Sequence, residues 1–136
     1  MGLDMYAYAA ARAGQQQEFW ETAEMAEGSG EYVSRMVQRP REIAYWRKHP
    51  NLHGWFKAEW ESLGNSGSFN GDELEITWDM LERLEYDVVN GELPQTEGFF
   101  FGNPADAEYR TDDLEFIKNA RTELFMGLKV FYNSSW

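Results

Sequence analysis

The stretch EIAYWRKHPNLHGWF, residues 42–56, concentrates the residue types that bind and stack ligands. Arg47 and Lys48 are cations able to hold a phosphate or carboxylate. His53 can donate a hydrogen bond or shuttle a proton near neutral pH. Asn51 stands just after Pro50, at the expected start of a helix, where unpaired backbone N–H groups favour an anion. Tyr45, Trp46 and Trp55 offer flat faces for a planar ring. The chemistry these residues suggest is recognition of an anionic, nucleotide-like small molecule. The competing reading is a helical hairpin with its aromatics turned inward and its cations paired to nearby acids.

Other patterns carry less. His49 and His53 are four apart, the spacing of a zinc pair on a helix. Pro50 lies between them and places His49 before the helix, and no third ligand follows by spacing, so no metal is expected. The run GFFFG at 98–102 reads as a core strand between glycines, and it lacks the Lys-Ser/Thr signature of a phosphate loop. Within it, Phe100 is a candidate third wall of the pocket beside Trp46 and Trp55. No nucleophile–base arrangement emerges among the serines and the many carboxylates. No catalytic residue can be assigned, no cofactor is called for, and whether the chain is an enzyme stays open.

The charge is strongly asymmetric. The chain carries a net −12, yet the window from Arg35 to Lys57 holds six Lys or Arg and one acid, Glu42. An acidic surface repels nucleic acid and anionic lipid over most of its area, so direct nucleic-acid binding is disfavoured. The acid surplus has a bland reading as a solvated face. Its sharper reading is an interaction protein that occupies a host DNA-binding or defence protein in place of DNA.

The elements that must position these residues follow from periodicity and punctuation. At 136 residues, 43% of them hydrophobic, the chain is expected to form a single domain with its own core. Residues 3–10 alternate and read as a first strand. Residues 15–27 read as a polar helix or ordered loop, ended by GSG at 28–30. Pro40 suits a first helical position, which predicts a helix from about Arg41 to Lys48. Pro50 ends it and opens a second, with Leu52, Trp55, Phe56 and Leu63 on one face. LEITW at 74–78 is a strand running into a helix capped by Thr77 and striped by Leu81, Leu84 and Val88. Gly91 and Pro94 stop that helix. Thr111, Asp112 and Asp113 begin a last helix, striped by Leu114, Ile117, Ala120 and Leu124. LKVFYNSSW is the final strand.

Four strands interleaved with helices are too few for a parallel sheet covered on both faces. The expected fold is α+β, an approximately four-stranded sheet with three to four helices mainly on one side. No cysteine is present, which removes disulfides and thiolate chemistry and fits a reducing cytoplasm. The start MGLDMYAYAAA, with Asp4 in it, does not read as a secretory leader, and no apolar run approaches a membrane span.

These marks together — GLDMY at 2–6, EIAYWRKHPNLHGWF at 42–56, LPQTEGFFFG at 93–102, the acids at Asp112 and Asp113, and VFYNSSW at 130–136 — resemble a family of small uncharacterised bacteriophage and bacterial proteins. The resemblance runs nearly end to end. It implies a phage or prophage setting, a common fold and the cytoplasm of an infected cell, and it implies no reaction. It also directs attention to the polar members of the shared stretches, Arg47, Lys48, Asn51, His53, Tyr132 and Trp136.

Overall fold

The computed structural model of the chain describes residues 2–11, 40–96 and 106–136. Within them lie β1 (Asp4–Ala10), β2 (Arg41–Arg47), α1 (Pro50–Ser62), β3 (Leu74–Ile76), α2 (Trp78–Val89), α3 (Asp106–Phe125) and β4 (Lys129–Ser135). The four strands form one antiparallel sheet in the order β2-β1-β4-β3. The fold is α+β, as expected. Its first and last strands are the central pair, so the sheet closes only when both ends of the sequence meet.

Alternation in β1 sorts residues between two faces. Leu3, Met5 and Ala7 join Val130 and Tyr132 of β4 and Leu74 and Ile76 of β3 in the main core. The three described helices bury their stripes against this face. From α1 come Leu52, Trp55, Phe56 and Trp60, from α2 Met80, Leu81, Leu84 and Val88, and from α3 Phe116, Ile117 and Ala120. Burying a side chain the size of Phe56 or Leu84 contributes roughly 1.5–3 kcal/mol. The second face carries a smaller cluster of Tyr8, Ala10 and Phe131.

One element differs in kind from the expectation. Residues 41–47 are a strand and not a helix. Pro40 and the aromatic spacing are compatible with a first helical turn. However, Ile43, Tyr45 and Trp46 also suit a strand, and pairing with β1 decides between the two. The register sets Arg47 opposite Asp4, Trp46 opposite Met5 and Tyr45 opposite Tyr6. It shifts at Ala7 and Tyr8, which face Ala44 and Glu42 and leave Ile43 as an extra residue. The four strands therefore include 41–47. The predicted strand at 98–102, with Phe100, and the predicted segment at 15–30 lie outside the described residues.

The other elements follow the local signals closely. Lys48 takes a left-handed φ of 57° and turns the chain out of β2. Pro50 opens α1, with His49 at its N-cap. Leu63 ends α1 exposed, at 70%, instead of joining the stripe. Thr77 caps α2, accepting from the Met80 N–H at 3.2 Å. The last helix starts at Asp106, five residues before the expected Thr111.

Candidate functional site

The residues singled out in the sequence do not converge on one concavity. Arg47 and Lys48 are exposed at the end of β2. Arg47 Nε lies 4.0 Å from Asp4 Oδ1, its cross-strand neighbour. Tyr45 is half exposed, donates to Asp4 Oδ1 at 2.7 Å, and packs its ring 5.3 Å from Tyr6. Asn51 is fully buried. Its amide nitrogen donates to both Asp106 oxygens, at 3.2 and 3.1 Å, and its oxygen accepts the Thr96 N–H at 2.9 Å. It ties α1 to α3 and to the segment after α2. Trp46 is in the core and its indole donates to Asp113 Oδ1 at 2.9 Å. Trp55 donates to Asp87 Oδ2 at 2.8 Å, with the Arg83 guanidinium over its ring.

His53 is 1% exposed. Its Nδ1 is 2.7 Å from the hydroxyl of Tyr132, and its ring stacks on Phe69 at 5.3 Å. Burial, with a smaller contribution from the charge of Lys57, pushes the imidazole down to about 4. At neutral pH it is an uncharged core residue, whereas the Arg47 guanidinium is exposed. Burial likewise holds the Tyr132 phenol well above its ordinary range, so that hydroxyl is neutral.

A second polar cluster was not legible in the sequence. His49 is fully buried and its Nε2 is 2.9 Å from Asp113 Oδ2, while Trp46 occupies the other carboxylate oxygen. The imidazole is stacked on Tyr109 at 4.2 Å, and its Nδ1 is 3.9 Å from Asp106 Oδ1. Burial raises the Asp113 carboxyl, while the hydrogen bonds from His49 and Trp46 oppose that rise. A histidine held by an oriented carboxylate is the geometry of a general base. Here, however, both groups are sealed from solvent, so the cluster works as a strut joining β2, α1 and α3. The overlooked signal was helical spacing. Asp113 stands four and seven residues before Ile117 and Ala120, an acid on the apolar stripe.

A shallow concavity lies on the second face of the sheet. Tyr6, Tyr8, Glu42, Gly71, Asn133 and Ser135 line a trough of about 390 Å³. The Tyr8 hydroxyl donates to Glu73 at its edge. The phenols of Tyr6 and Tyr8 are both raised, chiefly by burial. Asp4 and Glu42 add to this for Tyr6, and Glu73 for Tyr8. The nearby carboxylates of Asp4, Glu42 and Glu73 make the trough a region of negative potential. Aromatic faces beside carboxylates are suited to a cation, and amide and hydroxyl groups from Asn133 and Ser135 add hydrogen-bonding capacity. The trough contains no nucleophile–base pair. Among the described residues, no group of three His, Asp or Glu side chains is arranged to hold a metal ion, and no helix is long and apolar enough to cross a membrane.

Comparison with protein-family models, with curated proteins and with solved structures finds no match to this chain.

Proposed function

We propose that this chain is an acidic interaction protein that docks a basic partner on the second face of its sheet. The observation that carries the reading is the tyrosine-lined trough flanked by Glu42 and Glu73, in a molecule of net charge −12. A lysine or arginine side chain entering it meets the Tyr6 ring and the Glu42 carboxylate, beside the hydrogen-bonded Tyr8–Glu73 pair. The phage-type setting implied by the sequence marks makes a host DNA-binding or defence protein the natural partner, met in the cytoplasm of the infected cell. Such proteins present the basic surfaces that an anionic molecule can occupy.

The test is a titration of the protein with a short arginine-rich peptide, followed by amide chemical shifts. Shifts should concentrate on Tyr6, Tyr8 and Asn133, and affinity should fall steeply with salt. Glu42→Lys should weaken binding about tenfold, the equivalent of roughly 1.4 kcal/mol. Full retention of binding at about 1 M salt, against a Debye length of about 3 Å, contradicts an electrostatic dock. So does an unchanged affinity in Glu42→Lys.

A second reading, binding of an anionic small molecule, retains one supporting observation. Arg47 and Lys48 lie together over Gly2, where an added Cβ would meet Lys48 Cε at 3.1 Å and Arg47 Nη2 at 3.5 Å. Two exposed cations over a bare backbone can receive a phosphate. With Trp46, Asn51, His53 and Trp55 committed to the interior, the ring-stacking part of that site falls to Tyr45. A nucleotide present at about 100 times its dissociation constant should add roughly 2.7 kcal/mol of stability, and Arg47→Ala should abolish the gain. A screen of nucleotides and sugar phosphates that moves no melting midpoint removes this reading.

A further inference from the structure

The sheet order leaves β2 at one edge, paired to β1 alone among the described residues. An edge strand presents a row of unpaired N–H and C=O groups that another extended chain can complete. Beside this edge runs a groove of about 180 Å³, with Ile43, Ala44, Tyr45 and Trp46 on one wall and Asp112, Glu115, Phe116 and Asn119 of α3 on the other. Phe116 is 1% exposed and supplies an apolar floor. Asp112 and Glu115 are exposed and make no ion pair among the described residues. Their neighbours are differently placed: Glu123 is paired with Arg41, and Glu85 with Arg121 at 3.0 Å.

We propose that the β2 edge binds an extended segment of a partner protein as a fifth strand, with a lysine or arginine of that segment held between Asp112 and Glu115. Ladder hydrogen bonds supply affinity, and the groove beside them selects the side chain. The occupant is a different protein and not a second copy of this chain. A second copy of this chain would bring its own acid surplus to Asp112 and Glu115, whereas a basic segment complements them. The overall charge of −12 adds repulsion between copies. Arg41 is engaged by Glu123 and Arg47 lies beside Asp4, which offsets their repulsion of a basic guest. This edge is separate from the trough, and the proposal stands whether or not the trough binds a cation.

The experiment uses the whole chain and a capped peptide of about six residues, the usual strand length, alternating valine and lysine. One control replaces lysine by glutamate. A second is N-methylated at alternate residues, which removes the donors along one side and keeps every charge. Amide shifts should map to Ala44–Trp46 and to Asp112–Asn119. The glutamate and N-methylated peptides should each bind at least tenfold more weakly, and so should the parent peptide to Asp112→Asn/Glu115→Gln. Those two side chains are exposed, so the variant folds. Equal binding by the N-methylated peptide overturns the proposal, because the contact is then charge alone. Shifts confined to Tyr6, Tyr8 and Asn133 overturn it in favour of the trough. Absence of any shift at saturating peptide overturns it outright.

Discussion

Acidification should destabilise this protein through His53, and the size of the effect follows from where that imidazole sits. In the unfolded chain the ring titrates near 6.5, whereas in the folded chain burial and Lys57 push it down to about 4. Below pH 6.5 the unfolded state therefore binds a proton that the folded state refuses. Stability is at its full value above that pH and declines as pH falls, until the folded ring itself protonates near 4. The gap between the two values corresponds to a loss of roughly 3 kcal/mol. For a domain of this length that is a drop of about 10 °C in melting temperature.

The assay is a set of thermal or urea midpoints from pH 7 down to about 4, for the wild type and for His53→Gln. Glutamine can still bond the Tyr132 hydroxyl but does not titrate. It should lower stability at neutral pH and flatten the decline. The raised carboxyl of Asp113 acts with the opposite sign, because it takes up a proton more readily when folded and so adds stability as pH falls. That contribution is common to both proteins and cancels in the difference between their curves. Parallel curves between pH 6.5 and 4 would refute the argument, and with it the placement of a neutral His53 against Tyr132.

Two further outcomes follow from contacts on single residues. Asp113→Ala leaves the Trp46 indole and the His49 imidazole without their shared acceptor, at roughly 1–3 kcal/mol each. Its urea midpoint should fall well below that of Asp112→Ala, which changes an exposed side chain. Gly54→Ala gains about 1 kcal/mol of helix propensity, yet its Cβ would clash with Thr96 Oγ1 and lie 3.0 Å from Thr96 Cβ. Overpacking of this kind costs about 1–3 kcal/mol. The variant should melt lower than the wild type, and Gly54→Ala/Thr96→Gly should recover much of the loss.

The residues determined by themselves what depends on near neighbours in the chain. Pro50 opening α1, Thr77 capping α2, the stripe Leu81–Leu84–Val88 and the alternation of residues 3–10 are all satisfied within a turn or a strand, so local spacing reports them. The overall α+β class follows from their sum. Contacts between distant parts of the chain decided the rest. Residues 41–47 suit a helix start and a strand about equally, and the ladder to β1, some forty positions earlier, settles the choice. The same pairing explains why the basic stretch does not form the expected pocket. Strand geometry turns Trp46 inward and Tyr45 outward, and the turn at Lys48 then sends Asn51 and His53 into the interior. There each finds a partner no spacing rule could supply: Asp106 for Asn51, Tyr132 for His53 and Asp113 for Trp46. The trough and the β2 edge likewise exist only once the two ends of the sequence lie side by side at the centre of the sheet. A face or an edge belongs to the assembled sheet, and no single strand carries it.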